Sequence, residues 1–76
     1  MSSGNGKPEW YVVEPKQGVV HKATRKLQAV DYIKKLVGCD PQMKRRSEGV
    51  YLAICPSVTF KIMTYPEAYR EGLLNG

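Results

Sequence analysis

A single histidine, a single phenylalanine, a single tryptophan and two cysteines leave this 76-residue chain poor in the groups that build most catalytic and metal sites. Acid–base catalysis calls for a carboxylate pair, or for a histidine held by an orienting partner. The lone histidine, His21, stands beside Lys22 in a strand-like stretch and reads as a surface or half-buried structural residue. The carboxylates number seven, and several have local roles: Glu67 in a helix cap, Asp31 in a helix pair, Glu9 and Glu14 flanking a strand. Cys39 and Cys55 fit neither a CxxC motif nor a paired zinc knuckle, and adding His21 gives no ligand-like spacing. Cys55 closes an apolar run and reads as a small core residue. Cys39 follows a helix C-terminus, where the dipole disfavours a thiolate. No glycine-rich phosphate loop is present. These gaps point to a non-enzymatic protein without metal or cofactor.

Long apolar runs are missing too. No stretch of about 18 apolar residues exists, so no spanning helix and no membrane partner are expected. The opening "MSSGNGKPEW" has no apolar core of the signal-peptide kind. A cytoplasmic setting follows as the expectation, and both cysteines then read as reduced thiols.

What is present suits a small globular domain. Hydrophobic residues make up 42% of the chain and charged residues 25%, a balance that a packed core can use. Residues 1–8, rich in Ser, Gly and Asn, read as a flexible leader, and residues 9–76 as one domain. So small a core supplies about 3–5 kcal/mol, which leaves a second copy or another partner room to add stability.

The pattern along the domain predicts six elements. "EWYVVE" (9–14) and "VVHKA" (19–23) read as strands around the turn "PKQG". Thr24 is placed to cap a helix with the apolar stripe Leu27, Val30, Ile33 and Val37, flanked by Ala29 and ended by Gly38. Asp31 and Lys35 form an i,i+4 pair on its outer side. "GVYLAIC" (49–55) is an unbroken apolar run, predicted as a central strand covered on both faces. "SVTFKIMT" (57–64) alternates, with Val58, Phe60 and Ile62 inward and Thr59, Lys61 and Met63 outward. Thr64-Tyr65-Pro66-Glu67 fits a capping box opening a second helix, whose stripe is Tyr65, Ala68, Tyr69 and Leu73, weakened by Gly72. The expected fold is α+β, in the order β-β-α-β-β-α: a four-stranded antiparallel sheet with both helices on one face. A forty-residue slide superposes Tyr11 on Tyr51 and Thr24 on Thr64, a thin trace of duplication.

Charge is the remaining signal. Residues 16–46 carry nine of the twelve cations against only Asp31 and Asp40, a net +7, which leaves −2 elsewhere. Arg25 and Lys26 fall in the first turn of the predicted helix, where the macrodipole disfavours cations. Lys34 and Lys35 fall near its end, about 20 Å away at 1.5 Å per residue. "PQMKRRSEG" (41–49) places Lys44, Arg45 and Arg46 side by side, read here as a loop. A ligand spanning such a face is a polyanion, not a single phosphate. Arg25, Lys26, Lys34, Lys35, Lys44, Arg45 and Arg46 are therefore the candidate binding residues. Nucleic acid is the first expected partner, with Trp10, Tyr11, Tyr32 and Tyr65 as stacking candidates. An acidic protein surface is the second, bound as by a small phage-type inhibitor or adaptor, or by a subunit of a larger complex.

Overall fold

The computed structural model describes residues 8–74, so the predicted leader lies almost entirely outside the described residues. Seven elements follow in order: β1 (Trp10–Glu14), β2 (Gly18–Ala23), α1 (Lys26–Val37), β3 (Gln42–Ser47), β4 (Val50–Ile54), β5 (Thr59–Thr64) and α2 (Tyr65–Arg70). The α+β class holds, but the sheet has five strands instead of four, in the order β2-β1-β5-β4-β3. Every neighbouring pair is antiparallel. The extra strand is the segment read as a basic loop. Its cations hide its strand character, because an exposed edge strand needs no apolar alternation to form. Glu48 and Gly49 turn it back onto β4, with Gly49 at φ 78°.

β4 and β5 are adjacent and antiparallel around Pro56-Ser57, as the pattern predicts, and the Cys55 N–H donates to the Val58 carbonyl at 3.0 Å. β5 is the middle strand and β4 lies next to the edge.

The helices lie on opposite faces of the sheet, a second correction. Over one face Ala29 and Ile33 of α1 pack with Val12, Ala23, Ala53, Cys55, Phe60 and Ile62. Under the other, Tyr11, Val13, Val50 and Met63 gather around Ala68 of α2. The cause is visible in β1, where "WYVV" is apolar on both faces and requires two covering layers. Met63, expected outward, is fully buried beneath α2. Tyr11 and Tyr51 point to opposite faces, since the strand rows are Tyr11–Met63–Val50 and Val12–Ile62–Tyr51. The forty-residue slide therefore does not superpose like environments.

Local signals hold unevenly. Gly38 ends α1 at φ 79°, its N–H donating to the Lys34 carbonyl at 2.8 Å. The buried face of α1 is Ala29 and Ile33, while Leu27 is 73% exposed and lies off the stripe assigned to it. Arg25, not Thr24, is the N-cap; the Thr24 hydroxyl and N–H both donate to Gln28 Oε1, at 2.8 and 3.2 Å. Lys34 pairs with Asp40 at 3.5 Å, and no Asp31–Lys35 ion pair forms. Thr64 is the N-cap of α2 without a side-chain cap bond, and Glu67 pairs with Arg70 at 3.6 Å. Thus only the position of the capping box survives. Gly72 is a terminator, not a weak interior residue. At φ 77° it closes a Schellman turn, with Gly72 N–H to Tyr69 carbonyl at 3.0 Å and Leu73 N–H to Ala68 carbonyl at 3.1 Å.

Candidate polyanion-binding surface

The seven candidate cations do not share one face. Lys34 and Lys35 occupy the last turn of α1, far along the helix from Arg25 and Lys26. Lys44 and Arg45 are consecutive in β3 and therefore project to opposite sides of the sheet. Lys44 lies opposite Leu52, in a row that runs through Lys61 to Val13 on the α2 side. Arg45 lies opposite Tyr51, in the row Arg45–Tyr51–Ile62–Val12 on the α1 side. Arg46 sits at the register shift between Arg45 and Ser47.

One cluster does converge. Lys26 Nζ stands 4.0 Å from the centroid of the Tyr51 ring, and Trp10 meets the same ring at 6.0 Å in a tilted arrangement. Arg45 is the cross-strand neighbour of Tyr51, and Arg25 precedes Lys26 at the N-cap. Lys26 and Arg45 thereby flank Tyr51 near the N-terminal end of α1, where Arg25 is the N-cap. No acidic residue occupies the first turn there. The Lys26 contact also resolves part of the helix-dipole conflict: the ring face attracts the ammonium that the helix end repels.

The β3 cations are all exposed. Among the described residues the ion pairs are Lys34–Asp40 and Glu67–Arg70, so Lys44, Arg45 and Arg46 have no acidic partner within the fold. The main helix contacts are those of α1 with β2 and β1 and those of α2 with β5 and β1; at β3, Met43 alone packs against the core beneath α1.

The expected stacking aromatics lie elsewhere. Tyr11 is buried, and burial, reinforced by Tyr65, pushes its phenol up from the ordinary tyrosine value. Tyr32 stacks on His21 with centroids 4.1 Å apart, which gives the lone histidine a packing role. Trp10 is half-buried. The exposed rings are Tyr65 (49%) and Tyr69 (64%), stacked on each other at 6.1 Å. They belong to α2, on the face opposite Lys26 and Arg45. With Pro8, Glu9, Tyr11 and Lys22, Tyr65 lines a shallow cleft of about 550 Å³. The sequence pattern placed Tyr65 and Tyr69 in the packed stripe of the second helix, with Tyr65 also among the stacking candidates. The signal for their exposure was that two tyrosines on a short helix leave a hydroxyl each to be solvated.

Cys39 is exposed and Cys55 buried, and both are free thiols. Burial, with a smaller contribution from Cys39, pushes the Cys55 thiol up. Among the described residues no three His, Cys, Asp or Glu side chains come together in a metal-binding group, and no helix is long and apolar enough to cross a membrane. No family model, curated protein or solved structure matches this chain.

Proposed function

We propose that the chain is a non-enzymatic binding protein that engages an acidic protein surface through Arg25, Lys26, Lys44, Arg45 and Arg46. The observation that carries this reading is the exposed β3 edge, whose three consecutive cations have no acidic partner among the described residues. Cations that take no part in folding are free for a partner, and rim charges of this kind steer association more than they set affinity. Lys34 and Lys35 stand apart from the cluster and belong to the general positive field, with Lys34 already engaged by Asp40.

Nucleic acid is the second reading, supported by Arg25, Lys26 and Arg45 near the start of α1. Single strands call for aromatic platforms among the cations. Here the exposed tyrosines lie on the other face, and the ring nearest the cations, Tyr51, is already covered by Lys26. A duplex needs no such platform and remains the form of nucleic acid compatible with the cluster.

Three probes separate the readings: polyglutamate, a 20-base-pair duplex and an oligothymidylate, each titrated across a salt series. The acidic-protein reading expects binding to polyglutamate that weakens with salt and exceeds binding to either nucleic acid. Tighter binding to the duplex, with a steep log–log salt slope, would replace it by the nucleic-acid reading.

A further inference from the structure

We infer that β3 is a docking edge on which an extended acidic segment of a partner protein adds as a sixth strand. This rests on the acidic-protein reading above and specifies how that partner is held.

Four observations converge on the edge. Among the described residues β3 pairs only with β4, so its outer side presents a row of backbone donors and acceptors that no other described strand takes. The main contacts of both helices fall on other strands, α1 on β2 and β1 and α2 on β5 and β1. Its cations straddle the sheet, Lys44 on the α2 side and Arg45 on the α1 side. A flat anionic surface meets one of these faces and misses the other. A strand laid alongside β3 meets both, because its own side chains alternate in the same way. Finally, Met43 is half-buried and packs with the core under α1, which leaves its outer flank as an apolar contact beside the cations.

These positions define the segment. Opposite Met43 it carries an aliphatic residue, and opposite Lys44 and Arg45 it carries two consecutive carboxylates, one for each face. Backbone hydrogen bonds supply affinity and the side-chain positions supply choice, as in other strand-addition complexes.

Edge cations also guard against aggregation, and the two edges differ in how many they carry. β2 carries one cation, Lys22, among Val19, Val20 and His21. β3 carries three in six residues. Such a row repels a second copy of itself and accepts an acidic strand, so the same charges that block self-pairing select the partner.

The test uses the full ¹⁵N-labelled chain and a nine-residue synthetic peptide with a Glu-Glu-Val centre in a threonine frame, the order that an antiparallel sixth strand requires. Two controls carry the same charge with alternate amides N-methylated, in both registers, and duplex DNA is the third ligand. We expect the parent peptide to slow amide exchange within 42–47 at least tenfold, and N-methylation in one register to weaken binding at least tenfold. Lys44→Gln with Arg45→Gln should weaken the parent peptide by a similar factor. If both N-methylated peptides bind like the parent, strand addition is wrong while the acidic-partner reading stands. If the peptides fail to bind and the duplex binds, the reading beneath it fails as well.

Discussion

Gly49 shows how much a single position can decide in this fold. Its φ of 78° turns β3 onto β4, and a Cβ there would sit 2.9 Å from Thr64 Oγ1 and 3.1 Å from Glu67 Cγ. Backbone strain and crowding act together, so Gly49→Ala should destabilise by more than about 1 kcal/mol. Urea denaturation measures it. Thr64→Ala, by contrast, removes no cap hydrogen bond and should cost less than about 0.5 kcal/mol. Chemical contrast between the thiols is equally direct. Iodoacetamide should modify Cys39 in the native protein and reach Cys55 only on unfolding, a pattern that intact mass resolves. Tyr11 sets a pH limit. Its phenol titrates higher in the folded protein than in the unfolded chain, so the native state holds the proton more tightly. The stability it contributes is complete below about pH 10, the ordinary tyrosine value, and is lost as pH rises beyond it. Tyr11→Phe should flatten that alkaline decline in a denaturation series.

At the scale of elements, burial ranks the strands. Phe60→Ala should cost about 3–5 kcal/mol, because the ring is packed between α1 and the sheet. Leu52, half-buried between Lys44 and Lys61 on the α2 side but outside the cluster around Ala68, should cost about 1 kcal/mol when truncated, since only part of its surface leaves water. Comparing the two melting transitions checks the assignment of faces. The same distinction separates what was legible in the sequence from what was not. Alternation in "SVTFKIMT" and the stop at Gly38 are local signals, and both elements lie where the pattern puts them. β3 was not legible, because "QMKRRS" becomes a strand only through backbone pairing with β4, and pairing leaves no side-chain period on a polar edge. The choice of faces was also beyond local pattern. It depends on which apolar side of β1 each helix reaches, a matter of chain path and not of periodicity. For the candidate site, residue identities were legible and their arrangement was not: strand geometry sends Lys44 and Arg45 apart, and Lys26 turns inward onto Tyr51.

For the molecule as a whole, we propose that the cations around the start of α1 and along β3 serve a partner and not the fold. Lys26 is excluded from the decisive variant, because its contact with Tyr51 ties it to the core. Arg25, Lys44, Arg45 and Arg46 are exposed and without acidic partners among the described residues, and their replacement by glutamine lowers the net charge from +5 to +1. The most direct measurement compares this four-site variant with the parent chain for thermal stability and for affinity to polyglutamate across a salt series. Stability should be unchanged within about 0.5 kcal/mol, affinity at low salt reduced at least tenfold, and the salt dependence nearly flat. A variant that melts as the parent does and binds polyglutamate equally well at every salt concentration would contradict the proposal, and would move the working surface to Tyr65 and Tyr69.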